Sequence, residues 1–440
     1  MSRVVRSTAL IVNNPFTADS RVWKMAHTLT EAGHAVTVVA RTGAGLPGYE
    51  LVDGFRLLRV SQPQPLSWLP SPRLPAGEAE AAERRAASGA IAKARAVAAA
   101  TLGRGAQALR YLRLSGVWAD AIGQAIDHAP TPPGFERGAP MDVWQAEGLV
   151  ALPVAARLRR SRGGFAVYDA RDLATRSARF ARLPGPWRSL LERRETGWAR
   201  SMDGLLTASD PYADVLEGVW GRRPRVAWNG PDHEPVREPR RIWHERLGLA
   251  PDAPLVLYLG LVLDGRGIGQ LCDALGLVDR AVLVVAGYGT DYERFRARAA
   301  ALPHAGRIHF PGPVAPADIP AAIAAADVSA MPVEGDTLNH QLNTPTKLFD
   351  AMGAGVPVVA SDLPGMAPIV RATGCGELCD PDDPADIARA IRAIVEATPE
   401  RRAAYRDAAL AAARDVYAWE HQAPVLLDLY RDLATGTVWA

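Results

Sequence analysis

Short apolar runs recur along most of the chain, each followed by a polar turn and a stretch with helical spacing. Thr8–Val12 is the first such run and Ala35–Ala40 is the second. Nearly continuous, β-branched runs of this kind are typical of strands that are buried on both faces of a parallel sheet. Between the two runs, Asp19 or Ser20 stands where a helix N-cap belongs and Gly33 where the helix ends. The pattern predicts βαβ units and an α/β fold.

The alternation occurs in two blocks, which predicts two doubly wound domains. The other strands predicted in the first block are Phe55–Val60, Asp142–Gln145, Phe165–Asp169, Gly204–Thr207 and Arg225–Trp228. Those of the second block are Leu255–Gly260, Ala281–Ala286, Arg307–Phe310, Asp327–Met331 and Val356–Ala360. We predict an N-terminal domain over residues 1–230, a second domain over 231–418, and a helix over 419–440 that packs back on the first domain. Because ligands of such sheets bind beyond the carboxyl ends of the strands, we expect a cleft between the domains.

An Ala- and Arg-rich segment interrupts the first block from about residue 76 to residue 130. It follows a Pro-rich loop, has almost no strand signal, and is predicted to be a helical insertion. Its arginines are interleaved with leucines, so two interpretations stay open. The segment forms either a basic amphipathic face that binds anionic lipid or a solvated helix that packs on its own domain.

Composition narrows the class of protein. The 440 residues are 48% hydrophobic and 22% charged, with a net charge of +2, which argues against disorder and against nucleic acid as a partner. The first apolar run is too short for a secretory signal, and no run reaches the roughly 20 residues of a membrane span. The three cysteines lack metal-ligand spacing, so we predict no metal site. We expect a cytoplasmic location, at the inner membrane face if the insertion binds lipid, and the oligomeric state stays open.

The densest chemical signal is the stretch from Asn343 to Ser361. Thr344 is predicted to cap a helix whose first residue is Pro345. The unsatisfied N–H groups and the dipole of such a helix start favour an anion. Lys347 then lies in the first turn, and Asp350 comes one turn later, where a carboxylate suits the two hydroxyls of a ribose. The alternative is an ordinary helix–strand unit with surface charges.

This stretch resembles the motif P-x-K-x-F-E/D-x-M-x-x-G-x-P-V of the large retaining glycosyltransferase family of the GT-B fold. That family contains sucrose synthases and bacterial mannosyl- and glucosyltransferases. The similarity extends to other segments: Asp19–Lys24, Tyr258–Gly260, Arg266–Ile268, Val285–Gly289 and Phe310–Val314. The resemblance implies two Rossmann-like domains facing a cleft. It also implies transfer, with retention and without metal or cofactor, of a sugar from a nucleoside-diphosphate sugar to a hydroxyl-bearing acceptor. The acceptor is a cell-envelope glycan, a lipid-linked molecule or a secondary metabolite.

Four positions depart from the family pattern. Leu342 stands where the family has a first glutamate, and Arg171 replaces the histidine of a D-x-H-D/E strand end. Leu261 and Arg266 stand where the family has an arginine and a lysine. Amide side chains near the first of these positions are the candidates to hydrogen-bond the donor sugar instead.

The resemblance and the residue chemistry together define a predicted site. Arg266 and Lys347 would stabilise the leaving diphosphate, while Asp169 and Asp172 would orient the acceptor. The predicted donor-binding residues are Gly260, Arg266, Gly287, Asn339, Gln341, Asn343, Thr344, Thr346, Lys347 and Asp350. The predicted acceptor-binding residues are Asn14, Asp19, Arg21 and Arg171.

Two other functions remain alternatives to sugar transfer. The departures from the motif leave open a non-catalytic sugar-nucleotide-binding protein, and a sugar-nucleotide epimerase of the same fold is the second alternative. A dinucleotide enzyme is disfavoured, because the glycines of Gly265–Gly269 lack the G-x-G-x-x-G spacing.

Overall fold

A computed structural model describes residues 6–62, 116–136, 138–181, 183, 185–231 and 242–438. The chain divides into two compact units. Unit 1 comprises Met1–Thr207, Val215–Arg225 and Leu427–Ala440, and unit 2 comprises Ala208–Asp214 and Val226–Leu426. The predicted helical insertion as far as residue 115 lies outside the described residues, and so do residues 232–241.

Unit 1 is built on an eight-stranded sheet in the order β3-β4-β2-β1-β5-β6-β7-β8. Its strands are β1 (Ser7–Val12), β2 (Ala35–Arg41), β3 (Tyr49–Val52), β4 (Phe55–Val60), β5 (Val143–Glu147), β6 (Phe165–Ala170), β7 (Gly204–Thr207) and β8 (Arg225–Val226). From β4 to β7, neighbouring strands pair in parallel, as predicted. The short edge strand β3 pairs antiparallel with β4 and was not predicted, because none of its residues is buried.

The helices of unit 1 connect these strands. They are Ser20–Glu31, residues 116–128, Leu152–Arg162, Ala178–Ala181 and Gly185–Arg200, with a 3₁₀ turn at Ala174–Arg176. Two further helices, Asp210–Trp220 and Trp419–Thr435, contribute residues to both units. Asp19 is the N-cap of the first helix and accepts a hydrogen bond from the Val22 amide at 3.4 Å, which confirms that prediction.

Unit 2 holds a six-stranded, fully parallel sheet in the order β11-β10-β9-β12-β13-β14. Its strands are β9 (Leu255–Leu261), β10 (Val282–Tyr288), β11 (Ile308–Gly312), β12 (Val328–Met331), β13 (Val358–Ser361) and β14 (Gly376–Cys379). Its helices are Ile242–Leu247, Ile268–Leu275, Tyr292–Ala300, Ile319–Ala324, Leu338–Gln341, Thr346–Gly353, Ala367–Thr373, Pro384–Val395 and Pro399–Ala412, with a π turn at Ala413–Tyr417.

Alternate residues of the central strands feed two separate apolar cores in unit 2. Val256 and Tyr258 belong to one core, whereas Leu255 and Leu257 belong to the other. Both faces of this sheet are therefore covered by helices, as expected of a doubly wound parallel sheet. The two parallel-sheet units confirm the predicted α/β fold class. Among the described helices, none combines the length and hydropathy that crossing a lipid bilayer requires.

Glycines allow β9 and β10 to approach closely at their carboxyl ends. A Cβ atom on Gly287 would lie 1.8 Å from the carbonyl oxygen of Gly260, so no other residue fits without moving the strands apart. Gly260 itself has a φ of +136°, which also favours glycine. The strand ends thus present bare backbone at the edge where ligands of parallel sheets bind.

We expect Gly287→Ala to lower the free energy of unfolding by about 2–4 kcal/mol, because the added methyl group collides with backbone. Gly197→Ala is the matched control. Gly197 lies in the Gly185–Arg200 helix with open space around it, and there alanine should stabilise by about 0.5–1 kcal/mol. Urea unfolding measures both changes. Equal stability of Gly287→Ala and wild type would contradict the close approach.

The Gly185–Arg200 helix carries a buried carboxyl group, that of Glu195. Glu195 accepts hydrogen bonds from the Tyr168 hydroxyl at 3.1 Å and from the Thr175 hydroxyl at 3.0 Å. Burial raises the pKa of Glu195 from 4.5 to about 7, although both hydrogen bonds oppose the shift. Glu195 therefore keeps its proton in weakly acidic solution, where an exposed glutamate has lost it.

This shift predicts how stability depends on pH. The folded-state pKa of Glu195 lies above its unfolded value, so stability is lost as the pH rises from about 4.5 through about 7. We expect the difference in unfolding free energy between Glu195→Gln and wild type to grow by about 3 kcal/mol across this range, since the amide does not ionise. Urea titrations at several pH values measure the difference. A difference that stays constant with pH would show that Glu195 is not neutral in the folded protein.

Candidate functional site

Two cations converge at the carboxyl end of the unit 2 sheet. Lys347, in the first turn of the Thr346–Gly353 helix, places its Nζ 3.8 Å from the ring centroid of Tyr258 on β9. Arg266 lies on the loop that follows β9. Burial first, and then the positive charge of Arg266, hold the pKa of Lys347 well below its usual range. Within the described ranges, neither cation has a carboxylate at ion-pair distance. The arrangement is electrostatically incomplete without an anion.

The start of the Thr346–Gly353 helix differs from the prediction. Pro345 is the N-cap residue, with a ψ of 141°, and the helix begins at Thr346. The predicted cap by Thr344 is therefore wrong, because the extended Pro345 moves the helix start one residue along. Thr344 is buried instead, and its Oγ1 has no hydrogen-bond partner among the described residues. A buried hydroxyl is stabilised by a partner, and a ligand anion at the helix start would provide one.

Asp350 lies on the same helix and is half-buried. It follows Lys347 by three residues, so the two side chains lie on neighbouring positions of one helix face. Gly260 and Gly287 end the two adjacent central strands. These predicted donor-site residues are thus carried by elements whose ligand-facing ends belong to the same sheet edge.

The predicted sugar-contacting amides are occupied by contacts within unit 2. The Tyr212 hydroxyl donates to the Oδ1 of Asn339 at 3.1 Å, and Asn339 is buried. The Nε2 of Gln341 donates to the carbonyl oxygen of Gly335 at 2.8 Å. Both amides therefore help to fix the loop that precedes the Thr346–Gly353 helix. Asn343 follows them and is half-buried.

A histidine that was not predicted from the sequence, His340, supports the Arg266 loop. His340 is buried, and its Nδ1 lies 2.6 Å from the Oδ1 of Asp336. A Cβ on Gly265 would meet the His340 ring at 2.9 Å, so the glycine beside Arg266 lets the loop lie against this ring. The four-residue spacing of Asp336 and His340 was the available signal for their contact.

The predicted acceptor residues of unit 1 pair with one another. Arg21 binds Asp169 through two hydrogen bonds, Nε to Oδ2 at 2.7 Å and Nη2 to Oδ1 at 3.0 Å, and both residues are buried. Arg171 donates to both oxygens of Asp19, at 3.0 and 2.8 Å. The Nδ2 of Asn14 donates to Asp19 at 2.7 Å. Four charges therefore form two ion pairs.

These ion pairs affect ionisation in opposite directions. Burial raises the pKa of Asp19, but the charge and hydrogen bonds of Arg171, with Asn14, outweigh it and lower that pKa overall. Burial likewise opposes the charge on Arg171, and the charge and hydrogen bonds of Asp19 raise its pKa. Asp172 is exposed, in contrast to the buried Asp169.

A second residue that the sequence analysis missed is Glu147. It is the last residue of β5, beyond the predicted end of that strand, and it is buried. In the parallel register it lies beside Asp169 on β6 and Val12 on β1. Burial and the charge of Asp169 raise the pKa of Glu147 well above its usual range. A charged residue type that ends an otherwise apolar strand was the available signal.

Metal chemistry has no visible framework in the described ranges. There, no group of three or more His, Cys, Asp or Glu side chains is arranged to hold a metal ion. The three cysteines are free and buried.

Comparison with known proteins gives one family and one fold. Residues 239–411 match the family described as "Glycosyl transferases group 1". Over 255 residues the chain is 29% identical to a D-inositol 3-phosphate glycosyltransferase of Nocardioides, covering 52% of this chain and 53% of that protein. The match thus spans about half the length of that relative.

Solved structures resemble the chain over nearly its whole length. Sucrose-phosphate synthase from Thermosynechococcus elongatus superposes with a TM-score of 0.73 at 18% identity, covering 98% of this chain and 100% of that one. HepE of Anabaena, in complex with UDP-glucose, gives a TM-score of 0.66 at 16% identity, covering 96% and 98%. At these identities the likeness shows the GT-B fold.

We expect unit 2 of the intact protein to bind inorganic pyrophosphate at the two cations. Lys347→Met and Arg266→Met should each weaken binding by about tenfold or more, since each removes a charge-assisted contact. The lowered pKa of Lys347 also implies that binding takes up protons, so affinity should fall as the pH rises, and less steeply in Lys347→Met. Isothermal titration calorimetry in two buffers of different ionisation enthalpy measures both effects.

Arg296→Met is the control for total charge, because Arg296 is exposed and pairs with Glu293. Its affinity for pyrophosphate should match that of the wild type. Equal losses in all three variants would mean that net charge, rather than this pair of cations, attracts the anion.

Proposed function

We propose that the chain, whose residues 239–411 match the family described as "Glycosyl transferases group 1", moves a sugar from a nucleoside-diphosphate sugar to an acceptor hydroxyl. The observation that carries this proposal is the pairing of Lys347 and Arg266 without a carboxylate partner in the described ranges. Holding like charges together at a half-buried place is unfavourable, and a diphosphate is a ligand whose charge reverses the penalty.

The same cations suit the chemical step. As the bond between the anomeric carbon and the diphosphate oxygen breaks, negative charge grows on the diphosphate. Preorganised cations aimed at that charge lower the barrier by about 3–4 kcal/mol each. Arg266 is permanently charged, whereas Lys347 gains its proton most readily when the diphosphate is present. Thr344 and the helix start complete the proposed cradle.

Retention of configuration and metal independence are part of the proposal. The acceptor oxygen bonds to the anomeric carbon, and its proton passes to the departing diphosphate oxygen. This route needs neither a strong protein base nor a metal ion, and two cationic side chains supply the charge that a metal would otherwise provide. Added EDTA should therefore leave the rate unchanged.

Asp350 is proposed to hold the ribose. A carboxylate one turn beyond Lys347 offers two oxygens to the two hydroxyls of the pentose, while the bare backbone at Gly260 and Gly287 leaves room for the nucleotide. Because the similar HepE structure contains UDP-glucose, UDP is the first nucleotide to test. The name of the Nocardioides relative makes D-inositol 3-phosphate the first acceptor to test.

We expect Asp350→Ala to weaken nucleoside-diphosphate binding by about 10–100-fold, because two hydrogen bonds to a charged acceptor are lost. Calorimetry with UDP and GDP measures the change. Asp407→Ala is the matched control, since Asp407 is an exposed carboxylate in the same unit. An Asp350→Ala protein that binds as tightly as Asp407→Ala would refute the ribose contact.

Incubation with UDP-, GDP- and dTDP-sugars separates the proposed function from its alternatives. Slow release of nucleoside diphosphate, accelerated by an acceptor, supports a transferase. Recovery of an isomerised sugar would identify an epimerase, and tight binding without turnover would identify a non-catalytic binding protein.

A further inference from the structure

Unsatisfied polar atoms mark the carboxyl edge of the unit 1 sheet. Glu147, at the end of β5, is buried, and its Oε2 has no hydrogen-bond partner among the described residues. Asn13 follows Val12, the residue of β1 that lies beside Glu147 in the register, and its Oδ1 is likewise buried without a partner in the described part of the chain. Buried polar atoms without partners are rare in folded proteins, so this pair, at the end of β5 and just after β1, is a candidate contact for a ligand.

A chain of hydrogen bonds fixes which oxygen of Glu147 carries a proton. The Tyr430 hydroxyl donates to the Oε1 of Gln145 at 2.8 Å, and the Nε2 of Gln145 donates to the Oε1 of Glu147 at 2.7 Å. Tyr430 keeps its proton, because burial raises its pKa well above the usual range. With Oε1 accepting from the amide, a neutral Glu147 bears its hydrogen on Oε2. This O–H is the last donor of the chain.

The neighbouring charges explain why Glu147 is neutral. Asp169, beside it on β6, forms a two-point ion pair with Arg21, so a second carboxylate at this edge is opposed by burial and also by repulsion from Asp169. Arg21 and Arg171 favour ionisation of Glu147, but each already serves another carboxylate, Asp169 and Asp19 respectively. A Glu147 that keeps its proton beside Asp169 is the expected result.

A neutral acid and an amide oxygen are complementary to one alcohol. A hydroxyl group accepts one hydrogen bond and donates another, and an O–H donor beside a C=O acceptor satisfies both roles. We propose that Glu147 and Asn13 form a subsite for a hydroxyl of the sugar acceptor, with Glu147 Oε2 as donor and Asn13 Oδ1 as acceptor. The inference rests on the proposed function. It adds a pair of groups with free bonding capacity at an edge where Asp19, Arg21 and Arg171 are held in ion pairs.

The test compares four variants of the intact chain, three at carboxyl positions and Asn13→Ala. Glu147→Gln keeps a neutral side chain that accepts from Gln145 and donates from Nε2, whereas Glu147→Leu removes both functions. Glu195→Gln is the matched control, because Glu195 is another buried carboxyl of unit 1 with a raised pKa, and its hydrogen bonds involve Tyr168 and Thr175. Transfer from UDP-glucose or GDP-mannose to D-inositol 3-phosphate is measured between pH 5.5 and 9, together with UDP and GDP binding.

We expect Glu147→Leu to raise the acceptor KM by about tenfold, the loss of one hydrogen bond, while nucleotide affinity stays within about twofold. Glu147→Gln should keep an acceptor KM near that of the wild type at low pH. Wild type and Glu195→Gln should lose acceptor affinity as the pH rises and Glu147 ionises, whereas Glu147→Gln should not. Asn13→Ala should raise the acceptor KM without removing the pH dependence.

Other results overturn the inference. An unchanged acceptor KM in Glu147→Leu would show that Glu147 binds an internal water or serves the fold alone. A pH dependence that persists in Glu147→Gln would assign the titration elsewhere. If the wild type transfers only to water, the same comparison is made on the rate of donor hydrolysis, and an unaltered rate in Glu147→Leu refutes the subsite. Failure of the wild type to bind any nucleoside diphosphate would instead refute the proposed function.

Discussion

Two cations held together without a counter-ion determine the chemistry of unit 2. Lys347 lies over the face of Tyr258, where the ring provides a weak attraction of about 0.5–2 kcal/mol. That contact is too weak to offset burial and the repulsion from Arg266, and the pKa of Lys347 falls as a result. Packing of the surrounding elements holds the two side chains in place despite this cost. The lysine sits on a helix that packs into an apolar core, and glycines hold the loop of Arg266 against neighbouring side chains. An arriving anion then meets groups that need no rearrangement.

In unit 1, by contrast, the corresponding arginines are paired with carboxylates. Arg21 and Arg171 are each matched to a carboxylate, and a paired, buried charge has little left to offer a ligand. What these ion pairs provide is position, because they tie the first helix and the loop after β1 to the end of β6. The neutral Glu147 and the amide of Asn13 are then polar groups at this edge that retain bonding capacity. The two units therefore suit different ligands, a diphosphate for unmatched cations and an uncharged alcohol for a neutral acid and an amide.

The sequence predicted those parts of the molecule that depend on local pattern. Phe55–Val60 and Gly204–Thr207 form strands with the predicted bounds, because continuous apolar runs between turns leave few alternatives. The helix that carries Lys347 and Asp350 was also predicted, although its first residue was not. The cap depended on whether Pro345 took a helical or an extended ψ, and both are compatible with proline. The edge strands β3 and β14 were missed, since short and half-exposed segments carry little periodicity.

The parts that were not predicted depend on contacts distant in sequence. Arg21 and Asp169 are 148 positions apart, and both were assigned to a site without any indication that they bind each other. The same holds for Glu147, whose neutrality results from burial and from the charge of Asp169 on the neighbouring strand. A sequence shows which residues end strands, but the register of a sheet decides which of them become neighbours. In this chain the register places the Arg21–Asp169 ion pair beside Glu147. That arrangement, rather than any motif, distinguishes the pair that fixes the fold from the acid that is proposed to bind a substrate.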